Sequence, residues 1–109
     1  MSLNGEKIGN DIINALKESL SEKWPEIKAY GEAEGKKLAQ TLIMIEALKV
    51  SGEINEEQAA LHLEIQKNAT RMVLLTFKGL GLLAVEAAIN AALDVVKDSV
   101  NQAIGFSLI

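Results

Sequence analysis

Between Met72 and Leu93 the chain reads MVLLTFKGLGLLAVEAAINAAL, and in these 22 residues only Thr76, Lys78, Glu86 and Asn90 are polar, two glycines aside. A helix packed against one neighbour buries one stripe and keeps the opposite face polar. A run this apolar has to be covered on more than one side. Its length would reach across a bilayer. Lys78, Glu86 and Asn90 oppose that reading, since a charge at mid-bilayer costs about 3 kcal/mol or more. No basic cluster flanks the run either, so a membrane span is not expected. The cover has to come from protein.

Ala, Leu and Ile dominate the chain, aromatics make up 4% and there is a single proline. That balance favours helix over strand. The clearest boundary is Val50-Ser51-Gly52-Glu53-Ile54-Asn55. Gly52 suits the left-handed position past a helix end, and Asn55 with Gln58 forms a capping-box variant. Lys49 before the turn, and Glu56 and Glu57 after it, complement the helix dipoles. Upstream, Ile8, Ile12, Leu16 and Leu20 repeat at spacing four, and the stripe resumes as Ile27, Leu38, Leu42, Ile45 and Leu48. Pro25 interrupts a helix interior, so the first arm should be a helix of about 5–23 followed by one of about 25–50. Beyond a turn at 51–55, a long helix of about 56–104 is expected, bent at Gly79 and Gly81, each costing about 1 kcal/mol against alanine. Gly105 should end it. The expected fold is a single all-α domain: a long antiparallel hairpin with a split first arm, about three helices in all. A turn near residue 53 sets Pro25 opposite Gly81 and Gly31 opposite Leu75.

Polar residues of the last arm fall in one narrow row: Glu64, Lys67, Arg71, Lys78, Glu86, Asn90, Asp94, Lys97 and Asn101. If only that row meets water, one hairpin cannot cover the rest. Met72, Val73, Leu74, Phe77, Leu80, Leu83, Val85, Ile89, Leu93 and Val96 are then expected at an interface. Two hairpins pairing with two-fold symmetry into a four-helix-type bundle are the simplest solution. The small residues Ala29, Gly31, Ala33 and Gly35 are read as local packing against Met72 and Leu75. The apolar tail Phe106-Ser107-Leu108-Ile109 should pack near the start of the first helix or on a partner.

The net charge of −4 is evenly spread, and no basic stripe exists to neutralise phosphates, so nucleic acid is not an expected partner. Without cysteine, disulfides and thiolate chemistry are excluded. The first residues show no apolar signal region, so a cytoplasmic location is the default. Ser51 and Ser107 lack a base arrangement, and Gly79-Leu80-Gly81 lacks the Gly-Lys-Ser/Thr ending of a phosphate loop. His62, the one histidine, has Ala59 where a Glu-x-x-His metal motif requires glutamate. The Glu-x-x-His of encapsulated ferritins is thus missing, as is the Trp-x-Gly turn of small WXG-type hairpins. No cofactor is expected. The function expected is a non-enzymatic, homo-oligomeric assembly or adaptor protein, a dimer in its simplest form, with a further protein partner open. The alternatives are a ferritin-like metal bundle using Glu46, Glu86 and His62, and a membrane-active hairpin.

Overall fold

The computed structural model describes residues 3–109. Four α-helices follow in order: α1 (Gly5–Leu20), α2 (Trp24–Val50), α3 (Glu56–Leu75) and α4 (Leu82–Ile104), with one 3-10 turn over Ser21–Lys23. No strand occurs among the described residues, so the chain is all-α.

The side chain of Asn4 starts α1 by accepting from the Lys7 N–H at 3.1 Å. Such a cap satisfies a donor that has no partner within the helix. The spacing-four stripe Ile8, Ile12, Leu16 and Leu20 is buried as its period requires. Ser21 ends α1 with φ 45°, and the chain doubles back with Pro25 in the first turn of α2. A Cβ built on Gly5 would meet Ile43, one on Gly9 would meet Ala39, and one on Gly35 would meet Ile13. As one index rises the other falls in step, so α1 and α2 run antiparallel.

The α2–α3 turn forms as its sequence predicts. Glu53 N–H donates to Leu48 O at 2.9 Å and Gly52 N–H to Lys49 O at 3.1 Å, with Gly52 at φ 77°. These are the two bonds of a Schellman closure. Asn55 and Gln58 exchange side-chain bonds with each other's N–H at 2.8 and 2.9 Å, completing the capping box. Tyr30 packs edge-on to Phe77 and Thr70 donates to Glu34, so α2 and α3 pair antiparallel near the expected register. The atoms nearest a Cβ built on Gly31 belong to Trp24, however, and nothing lies within 4 Å of one on Gly81, so the named pairs Gly31–Leu75 and Pro25–Gly81 are not the contacts expected.

The last arm differs from the single bent helix expected over 56–104. It stops at Leu75 and restarts at Leu82. Thr76 Oγ1 donates to Val73 O at 2.6 Å, and Leu80 N–H donates to Phe77 O at 3.2 Å. Gly79 takes φ 91°, a conformation that ends a right-handed helix and that glycine adopts without a Cβ clash. Burial of the Leu80 side chain in the core offsets the lost helical bonds. Gly81, in extended conformation, then opens α4.

The break lets α4 fold back antiparallel to α3, with Arg71 pairing Glu86 across the two. The start of α1 and the end of α4 share a cleft lined by Lys7, Asp11, Ser99 and Ala103. The result is an up-down-up-down four-helix bundle measuring 42 × 23 × 19 Å, closed within one chain. The second hairpin expected from another copy is supplied by α1 and by the split of the last arm. Leu16, Leu38, Leu42, Ile45, Leu74, Val85, Ile89 and Val100 are fully buried along its axis.

Candidate functional site

The ten residues expected at an interface separate into an inner and an outer set. Leu74, Leu80, Val85, Ile89, Leu93 and Val96 are buried by the chain itself. Val73 and Phe77 are half-buried. Only Met72 and Leu83 stand outside, 70% and 88% exposed. The inner six are therefore core, not contact surface. The reason is the Thr76–Gly81 break, which turns one apolar run into two helix faces that meet α1 and α2.

The polar row stays at the surface as expected, with Glu64, Lys78, Asn90, Asp94 and Lys97 exposed, and the fold adds a pairing across it. Read along a straight helix it is a stripe facing water. Folded at the break, its halves face each other across the rim of the α3–α4 seam, where Glu64 and Lys67 share a cleft with Asn90, Asp94 and Lys97. Arg71 Nε bonds Glu86 Oε1, and Arg71 Nη1 bonds Asn68 Oδ1. The Arg71 hydrogen bond, opposed by partial desolvation and aided by the charges of Arg71 and Lys67, holds the Glu86 carboxyl below its ordinary value. The same hydrogen bond raises Arg71. A depressed folded-state pKa adds stability above the unfolded carboxylate value and loses it as pH falls through the folded one. The acid limb of a stability–pH curve should therefore flatten in Glu86→Gln, while the neutral-pH plateau drops slightly. An unchanged acid limb in urea melts between the ordinary carboxylate range and lower pH would refute the pairing.

What remains on the outside is an apolar stripe on α3. Leu61 is 58% exposed and Ile65 67%, in line with Met72 and with Leu75 at the helix end. Leu82 and Leu83, at the start of α4, are exposed as well. Leu61 and Ile65 lie outside the Met72–Leu93 run, and sequence reasoning centred on that run missed them. Their signal was present, since Leu61, Ile65, Met72 and Leu75 follow helical spacing on a face opposite to Ala59, Leu63, Thr70 and Leu74, which are buried.

The small residues of α2 are used within the chain, though not against Met72 and Leu75. The Trp24 ring lies over Gly31, and Ile13 and Leu16 of α1 approach Gly35. The tail also stays at home. Asn101 Oδ1 accepts from the Leu108 and Ile109 N–H groups at 2.9 and 3.1 Å, and Lys49 sits 5.8 Å from the Phe106 ring centre.

The metal alternative is not assembled. Glu46 accepts from the Leu3 N–H through both oxygens, at 3.1 and 3.0 Å, Glu86 pairs with Arg71, and His62 is half-buried on α3. Among the described residues no group of three His, Asp or Glu side chains is placed to hold a metal ion. A buried carboxylate that the sequence did not flag, Glu34, is satisfied by Thr70 Oγ1 and Lys37 Nζ, both at 3.1 Å. Gln66 donates in turn to Thr70. This chain of bonds ties α2 to α3. No helix among the described residues is long and apolar enough to cross a membrane. Comparison with protein-family models, with curated proteins and with solved structures finds no match to the chain.

Proposed function

We propose that this protein works by association: a non-enzymatic helical bundle with an assembly or adaptor role, self-associating through the outer surface of α3 and the start of α4, with a dimer as the basic unit. The observation that carries the reading is the row of large apolar side chains left outside a core that is otherwise complete. Leu61, Ile65, Met72, Leu82 and Leu83 are all more than half exposed. Fully burying one side chain of this size is worth about 1.5–3 kcal/mol, so several together supply a driving force for association even after its entropic cost. Exposed apolar side chains grouped in this way mark interaction surfaces.

Light scattering on size-exclusion fractions across a dilution series tests the reading. The expected result is a dimer or larger assembly at micromolar concentration. The double variant Met72→Asp/Leu83→Asp should run as a monomer with unchanged helical circular dichroism, because both side chains lie outside the core. A compact wild-type monomer at every concentration would overturn the proposal.

A further inference from the structure

On α3, Leu61, Ile65, Asn68, Met72 and Leu75 succeed one another at spacings of four, three, four and three. That is the seam of a coiled coil, two positions per heptad, and all five face outward from the bundle. One polar residue, Asn68, stands at its centre. On one flank, seven residues apart, lie Glu57, Glu64 and Arg71, and Lys78 follows just past the helix end. The flank is acidic in its first half and basic in its second. Arg71 already leans toward the seam through its bond to Asn68.

We infer that the partner of this face is the α3 of a second copy, packed antiparallel about a two-fold axis at Asn68. The inference rests on the self-association proposed above and names its geometry. A two-fold at Asn68 sets Leu61 beside the partner's Leu75 and Ile65 beside the partner's Met72. Asn68 then meets the partner's Asn68, where two amides can exchange donor and acceptor. The same operation brings Glu64 beside the partner's Arg71. This charged pair occurs twice by symmetry. A parallel arrangement would set this flank against the partner's other flank, His62, Ala69 and Thr76, and form none of these pairs. Charge therefore selects the antiparallel arrangement, and a central polar residue pins its register.

The chain has no cysteine, so a single introduced thiol reports position cleanly. Asn68→Cys sits on the proposed axis, at a spacing a disulfide can bridge. Under mild oxidation it should form a covalent dimer within the time that Leu83→Cys, inside the proposed surface but off its axis, and Gln40→Cys, outside it on α2, remain mostly monomeric. Glu64→Arg should weaken the dimer about tenfold in dissociation constant, whereas Asp98→Arg, the same charge change on α4, should leave it within about twofold. If wild-type protein is dimeric by light scattering but Leu83→Cys crosslinks in place of Asn68→Cys, this geometry is wrong while self-association stands. If wild-type protein is monomeric throughout, both fail.

Discussion

Replacing Ile12 with aspartate is expected to leave the chain without a cooperative fold at 25 °C. Ile12 is fully buried at the middle of α1, against the α2 backbone at Gly35, where a Cβ would stand 3.6 Å from Ile12 Cγ2. No cation faces it within the core cluster. An isolated carboxylate there must either stay charged or be protonated, and either costs several kcal/mol beyond the lost apolar contacts. Domains of this size are stable by about 5–15 kcal/mol in total. The milder Ile12→Ala should cost about 2–5 kcal/mol, lowering the melting temperature by roughly 4 °C or more per kcal/mol. The pair of variants decides whether α1 is structural. Were the folded unit a hairpin of α2 with the last arm, α1 would be an appendage and both variants would melt within a few degrees of wild type. Thermal melts followed by far-ultraviolet circular dichroism make the distinction.

The second large effect is expected at Gly31. A Cβ there would lie 2.5 Å from Trp24 Cζ3 and 2.8 Å from Cη2, well inside van der Waals contact. The ring is buried and belongs to the core, so it has no room to withdraw without opening the end of the bundle. Gly31→Val should therefore displace the indole and cost about 1–3 kcal/mol. A gain of less than 1 kcal/mol in helix propensity, valine over glycine, does not reverse the sign. Trp24 is the sole tryptophan, so the displacement reads directly as a red shift and loss of its fluorescence. Ala29→Val, two residues away at an exposed position of the same helix, is the control and should leave the emission unchanged. A wild-type emission maximum in Gly31→Val would show that the indole does not rest on this glycine.

The α2–α3 turn was legible in the sequence because its information is local. Gly52, Asn55 and Gln58 act on backbone groups no more than a few residues away, and the structure uses each as its chemistry directs. The buried stripes of α1 and α2 were legible for a similar reason, their period being that of the helix itself. The approximate hairpin register was legible because a short turn leaves the facing residues little choice. The break at Thr76–Gly81 was not. Gly79 weakens a helix interior by about 1 kcal/mol and suits a helix end, so by itself it allows a bend or a stop, and the stop brings Leu80 into a core built from residues distant in sequence. The polar row was legible as surface, but its pairing across the α3–α4 seam was not, for a related reason. A periodic polar stripe has the same spacing whether it meets water or a second polar stripe across a seam, so Lys67 and Glu86 looked alike in either case. The candidate surface was half legible. Met72 and Leu83 were found in the apolar run, while Leu61 and Ile65 stand among polar neighbours and become a surface only once the buried face of α3 is known.

The order in which the helices meet has a kinetic consequence. Each helix packs on its successor across three seams that join segments separated by short turns, and α2 also meets α4 across the diagonal. A further seam, α1 against α4, joins the two ends of the chain. Closing a loop of that span from an unfolded state carries an entropic cost that grows with the logarithm of its length. Once the three sequential seams are made, the ends already lie together and most of that cost has been met. One of the bundle's two most extensive seams, α1 against α4, is thus also its longest-range one, and pairing the chain ends slows folding relative to a bundle held by neighbouring helices alone.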